Sequence, residues 1–231
     1  MRGRPPRLPE ATAELYELMR CAPSTRRFTD QPVPSEVIER VLDNARFAPS
    51  GGNRQGWRVI VVTDADTRRE LRDLYQGPWS AYTEQTGMRA LLATAEQGGV
   101  PDGRLRMMRA ADEYAHTFDR VPVHLVICVE LAALALVDRG LDRPSIVGGA
   151  SIYPFVQNIL LGLRQEGLGA SFTTLLTPVE PQVRELLGIP DGIALAGHIS
   201  VGFRADPWPE QLRRNAVSEF AFGERWGQSW T

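Results

Sequence analysis

Three polar stretches concentrate the residues that could do chemistry. "PSTRRF" supplies Ser24, Thr25, Arg26 and Arg27. "APSGGNRQGW" supplies Pro49, Ser50, Gly51, Asn53, Arg54 and Gln55, and the C-terminal stretch adds Arg204, Arg213 and Arg214. Guanidinium groups suit phosphates, which they hold through paired N–H donors. Amides and hydroxyls suit a ligand that alternates donors with acceptors, and glycines let backbone approach a flat surface closely. Chemistries that need their own side-chain constellation are missing: the chain has no HExxH, P-loop, GxSxG elbow or GxGxxG after a strand. Cys21 and Cys128 lack the CxxC spacing of a zinc or redox site, and no other cluster has metal-ligand spacing, so no metal is expected. Of His116, His124 and His198, the last two lie in apolar runs and read as core histidines. The demanding chemistry would then fall to a bound organic cofactor.

A flavin mononucleotide needs all of these groups. Its phosphate calls for arginines or backbone N–H groups, its ribityl chain for hydroxyl and amide partners, and its pyrimidine edge for an amide and backbone donors. When hydride reaches N5, negative charge gathers near N1 and O2, where a fixed cation stabilises it without reorganisation. The same residue types also occur in any solvated polar loop, which composition alone leaves open. Trp57 reads as a core aromatic at a strand end, and Gln157 and Asn158 serve equally well as backbone-satisfying residues on a helix face or as flavin contacts.

The elements that must position these loops follow from periodicity. "ATAELYELMRC" reads as a helix over 11–21. Ser35 reads as the N-cap of an amphipathic helix with Val37, Ile38, Val41, Leu42, Ala45 and Ala48 on one stripe, ended by Pro49. "WRVIVVT" and "VPVHLVICVE" read as buried strands, and "DADTRRELRDLY" as an acid-capped helix. Residues 77–120 read as a polar helical excursion usable as a lid. "SIVGGASIYPFVQNILLGLRQEGLGA" gives the longest helical pattern, stopped at Gly167 and Gly169, with Pro154 forcing a kink or a late start. "SFTTLL" reads as a short strand, Thr177–Pro178 opens a small helix, and "IALAGHISVGF" is a third clear strand. Alternating helices and strands predict one α+β domain over 1–231, with a flexible arm at 1–10 and an extension at 204–231. That extension carries three of the chain's five tryptophans, which need something to pack on.

Bulk properties narrow the partners. In 231 residues, 43% hydrophobic and 23% charged residues support an ordinary core, and a net charge of −2 gives nucleic acid or an anionic membrane no purchase. No apolar run has the length of a membrane span and the N-terminus is not signal-like, so a cytoplasmic protein is expected.

The order of these motifs resembles the FMN-dependent nitroreductase family, the NAD(P)H:flavin oxidoreductase-like group. That family opens with R-R-S-x-R-x-F, P-V-P, an amphipathic helix and A-P-S-x-x-N-x-Q-P-W before a strand; this chain has "STRRFTDQPVP" and "APSGGNRQGWRVIVV". "ASIYPFVQNILLGLRQEGLGASF", "VRELLGIPDG" and "HISVGF" match its second half, so the likeness spans about residues 15–204 and is loosest over 77–120. It implies an α/β sandwich with a central mixed, mostly antiparallel sheet flanked by helices, a C-terminal extension wrapping the partner subunit, and FMN between the two subunits of a homodimer. Ser24 and Arg26 fall on the S-x-R positions that meet the phosphate, ribityl chain and pyrimidine edge, with Thr25 and Arg27 beside them. Pro49, Ser50, Gly51, Asn53 and Gln55 fall on the loop that reaches the neighbouring subunit's flavin. Thr173, Thr174 and Leu175 fall where backbone N–H groups approach N5 and O4, and Arg213 and Arg214 where a late basic pair holds the phosphate. Ala22 and Pro23 stand where the family has its leading arginines, and Gly56 replaces the proline of Q-P-W. The implied activity is ping-pong transfer of hydride from NADH or NADPH, through flavin N5, to a nitroaromatic or quinone, with no catalytic side chain required. Flavin fragmentation, reductive dehalogenation and non-catalytic FMN sequestration are the alternatives on this fold.

Overall fold

The computed structural model describes residues 14–94 and 101–230. The expected arm at 1–10 and the first residues of the expected first helix lie outside them.

The central strand dictates the architecture. In β2 (Val123–Glu130), alternate side chains point to opposite faces, and both faces are buried. Val123, Leu125, Ile127 and Val129 enter one apolar cluster, while Val126 and Cys128 enter the other. β2 pairs antiparallel with β1 (Trp57–Val62) and β4 (Ile193–Gly202), and β3 (Gly169–Thr173) closes the far side of β4, giving the order β1-β2-β4-β3. The only parallel pairing among the described residues is an isolated bridge between Ser24 and Ala170.

The first cluster packs α2 (Ser35–Ala45) and α6 (Tyr153–Gln165) against the sheet through Val37, Ile38, Val41, Phe155, Ile159 and Leu163. Gly162 permits this approach, since a Cβ there would sit 3.2 Å from Val41. Arg40 on α2 donates to both oxygens of Glu166, at 2.9 and 2.5 Å, in a shielded bidentate pair. The other face carries α3 (Ala65–Gln85), α5 (Asp102–Thr117) and α7 (Glu180–Leu187), with Leu71, Tyr75, Tyr114, Phe118 and Val183 buried. The short helices α1 (Leu15–Cys21) and α4 (Met88–Ala93) complete the fold. This is the expected α+β sandwich.

Several boundaries differ from expectation. Pro34, not Ser35, is the N-cap of α2, and no side chain caps it. That helix ends at Ala45 because residues 46–48 close a turn back onto Leu42, Asn44 and Ala45, ahead of Pro49. β1 is an edge strand and only partly buried, since nothing pairs with its outer side among the described residues. Pro154 produces a late start, falling in the first turn of α6. The longest helix is α3, which accepts Asp64 as a true cap (Thr67 N–H to Oδ1, 2.9 Å) and carries Pro78 internally. The described parts of 77–120 are therefore core rather than excursion: Trp79, Met88, Met108, Tyr114 and Phe118 belong to the second apolar cluster.

Candidate functional site

A cleft of about 560 Å³ opens where the end of β3 meets α3, α4 and α5. Its inner end is formed by Arg26 and the run Ser171–Leu175, and its roof by side chains such as Tyr75, Trp79, Tyr82, Met88 and Met108. Arg26 is half-buried there and makes no hydrogen bond or ion pair among the described residues. Beside it, the Leu175 N–H donates to Thr173 Oγ1 (3.2 Å), and the Tyr75 hydroxyl shares that oxygen at 3.4 Å. The Thr174 N–H has no partner among the described residues. A cation and a backbone N–H without a protein partner, on residues that line one cavity, suit a ligand with acceptor atoms.

Behind the cleft lies a buried polar chain. Tyr114 OH is 2.6 Å from Ser200 Oγ, which lies 3.1 Å from His124 Nδ1 and 3.3 Å from His198 Nε2. Burial raises the pKa of Tyr75 and Tyr114 and keeps both phenols protonated.

The segment carrying Ser24 to Arg27 is extended, so its side chains alternate in direction. Arg26 enters the cleft, whereas Thr25 is fully buried on the opposite side, where its Oγ1 accepts from Arg204 Nη1 at 3.3 Å. Gly169 is required beneath it, because a Cβ would come within 2.7 Å of Thr25 Oγ1. Arg27 pairs at the surface with Asp206 (3.0 Å), and Ser24 is exposed beside Ala170.

The loop 49–55 stands elsewhere on the same chain. Ser151 Oγ accepts from the Gly51 N–H and Ser50 Oγ from the Gln55 N–H, each at 3.0 Å. Gln55 Nε2 donates to Asn53 Oδ1 at 3.1 Å. Asn53 (φ 53°) and Gln55 (φ 51°) hold left-handed backbone, an unfavourable state for residues other than glycine that points to a functional constraint. Gly51, Asn53 and Gln55 are exposed, and no residue of the loop lines the cleft of its own chain. Arg213 and Arg214 are exposed as well, but the Leu212 N–H donates to Arg20 O (2.8 Å), which docks them at the end of α1, two residues from Ala22. Nearby, Arg164 stacks over Trp208 at 3.9 Å, and both line a small pocket with Ala22, Pro23 and Ser24.

Other residues take structural positions. Trp57 stacks on Phe155 with ring centroids 4.8 Å apart, and Asn158 Nδ2 donates to Ala45 O at 3.4 Å, satisfying the end of α2. The residues that sequence reasoning missed are Tyr75, Trp79, Tyr114 and Arg104 of the cleft. Tyr75 and Trp79 have one signal, the aromatic spacing they share with Tyr82 on one face of α3, while Tyr114 and Arg104 on α5 have none.

The nitroreductase family model matches residues 23–203. Nitrobenzene nitroreductase from Ectopseudomonas oleovorans is 24% identical, over 84% of this chain and 88% of its own length. Iodotyrosine deiodinase 1 of Mus musculus is 28% identical, over 89% of this chain and 68% of its own. Among solved structures, the FMN- and NADPH-dependent nitroreductase NfnB superposes with a TM-score of 0.66 at 20% identity, covering 92% of this chain and all of the other. An iodotyrosine deiodinase bound to FMN and 3-iodo-L-tyrosine gives 0.62 at 24%, over 91% of this chain and all of the other.

Proposed function

The chain belongs to the nitroreductase family, and from that premise we propose that it is an FMN-dependent homodimeric oxidoreductase, moving hydride from NADH or NADPH to a small acceptor such as a nitroaromatic or quinone. The observation that carries this reading is Arg26, a half-buried guanidinium with no partner among the described residues, facing a cleft beside the bare Thr174 N–H. Together they fit the electron-rich edge of a flavin, where a fixed cation and a backbone donor match acceptor atoms.

When bound, FMN supplies a ring that accepts two electrons as hydride and gives them up again. The protein's own residues bind and orient. Arg26 would hold the pyrimidine edge and offset negative charge there, with the Thr173–Leu175 backbone as the neighbouring donor set. Arg213 and Arg214, docked at the end of α1, neutralise the phosphate in place of the absent leading arginines. Asn53 and Gln55, held in strained conformations yet exposed, serve the flavin of a second copy. For a nitro acceptor the balance is NAD(P)H + H⁺ + ArNO₂ → NAD(P)⁺ + ArNO + H₂O.

Reductive dehalogenation is a second reading, favoured by the identity with the mouse deiodinase across most of this chain. Halide release from a halotyrosine, against reduction of a nitroarene, separates the two.

The deciding experiment is the visible spectrum of the purified protein under anaerobic NADH and then NADPH. A bound flavin that bleaches with either nucleotide supports the reading and identifies the donor. A protein that neither contains FMN nor takes it up ends the reading.

A further inference from the structure

We propose that Arg104, at the outer end of the cleft, selects aromatic acceptors that carry a negative charge. This rests on the reading of the cleft as the site where flavin and acceptor meet.

Two arginines line the cavity, Arg26 beside the Ser171–Leu175 run and Arg104 from the first turn of α5. Arg26 is accounted for by the cofactor. Arg104 is exposed, makes no hydrogen bond or ion pair among the described residues, and supports no helix end. Among the described residues no Asp or Glu lines this cavity, so its arginines face no protein carboxylate there. The remaining wall is aromatic and thioether, with Tyr75, Trp79, Met88 and Met107 prominent. Such a wall favours a flat ring through stacking and sulfur–aromatic contacts. Uncompensated positive charge between low-dielectric walls focuses the field and favours an anion. A ring with an acidic substituent, such as an aromatic carboxylate, satisfies both features at once.

The same inventory argues against two other occupants. A neutral nitroarene, such as the nitrobenzene in the name of the Ectopseudomonas oleovorans relative, leaves Arg104 without a partner. A zwitterionic tyrosine, such as the 3-iodo-L-tyrosine of the deiodinase complex, brings an ammonium group for which the described lining offers no carboxylate.

The test compares the FMN-loaded protein with its Arg104→Gln and Arg104→Lys variants, using 4-nitrobenzoate and nitrobenzene as acceptors. Benzoate, which cannot be reduced, is titrated calorimetrically as a binding probe. Wild type is expected to favour 4-nitrobenzoate through KM, and Arg104→Gln to erase about five- to tenfold of that preference, as fits one charge-assisted contact at a partly exposed site. Arg104→Lys recovers part of it, and added salt raises KM for the anion only. Benzoate affinity falls in parallel. Equal benzoate affinity in wild type and Arg104→Gln overturns the proposal, as does a wild-type preference for nitrobenzene. If the flavin bleaches with NAD(P)H but neither nitroarene is reduced, the acceptor reading fails, while the benzoate titration still decides the role of Arg104. Failure to bind FMN removes both.

Discussion

His124 Nδ1 lies 2.8 Å from His198 Nε2, and both rings are fully buried. The tautomers follow from the neighbours. His124 Nε2 is 3.0 Å from the Phe118 carbonyl oxygen, so it carries the proton and its Nδ1 is the acceptor. His198 Nε2–H therefore donates, which leaves His198 Nδ1 as a lone pair without a hydrogen-bond partner. The pair holds only while both imidazoles are neutral. Burial lowers both pKa values, that of His198 to about 3 and that of His124 well below its ordinary value, where the neighbouring imidazole adds to the effect.

The consequence for stability has a definite sign. Unfolded histidines titrate near pH 6.5. Below that pH the unfolded chain takes up protons that the folded pair refuses, so stability is complete above about pH 6.5 and declines toward pH 3. By pH 5 the loss from His198 is on the order of 2 kcal/mol, and His124 adds to it in the same direction. Urea unfolding at pH 7.5 and 5.0 should show the midpoint falling at pH 5.0 with the slope unchanged. Identical midpoints would contradict the neutral-pair assignment. Because Tyr114 joins this chain to the cleft, acid conditions should loosen the cleft along with the fold.

Arg26→Gln isolates the cation of the inner cleft. Arg26 makes no hydrogen bond or ion pair within the described chain, so its loss should leave thermal stability nearly unchanged. A charge-assisted hydrogen bond contributes roughly 1.5–3 kcal/mol, so FMN affinity should weaken by about tenfold or more. Fluorescence titration of the apoprotein with FMN reads this directly. A variant that binds FMN as tightly as wild type would remove Arg26 from the site.

How far the sequence announces all this depends on where each signal lies along the chain. β2 is legible because eight apolar-rich residues serve two buried faces at once, and Asp64 because a cap acts within three residues. "PSTRRF" is legible as a ligand loop, but the opposite fates of Thr25 and Arg26 depend on alternation in an extended segment that only the bridges to Ala170 and Arg204 establish. The roof of the cleft was hidden for a different reason. Trp79 and Tyr114 sit among polar residues on α3 and α5, and only tertiary packing turns them into one core with Phe118. Arg104 gives no local sign, since its meaning comes from the missing carboxylate around it.

Arg213 and Arg214 carry a prediction about phosphate alone. The Leu212–Arg20 backbone bond docks the pair beside Ala22 and Pro23, where the family pattern has arginines. Replacing both with Gln should weaken FMN by tenfold or more while leaving riboflavin, which lacks the phosphate, nearly unaffected. The ratio of the two dissociation constants is the measurement. Equal weakening of both ligands would mean that the pair supports the fold rather than the phosphate.

The C-terminal extension makes the strongest case for a second copy. Trp226 is 90% exposed and Trp230 67%, with Phe220 and Val217 also open to solvent, a distribution that a lone chain does not favour. Among the described residues β1 has no partner on its outer side, and a groove of about 620 Å³ has Val33, Ile38, Leu42 and Val61 among its lining. Bare edges are normally covered, and an apolar extension from a partner would bury both liabilities together. Deleting residues 216–231 should therefore convert the proposed homodimer to a monomer in light scattering. It should also weaken FMN binding, because the exposed Asn53–Gln55 loop would no longer reach a partner's flavin. A truncated protein that remains dimeric and binds FMN normally would show that the extension is not the clasp, and would place the dimer contact on the helices instead.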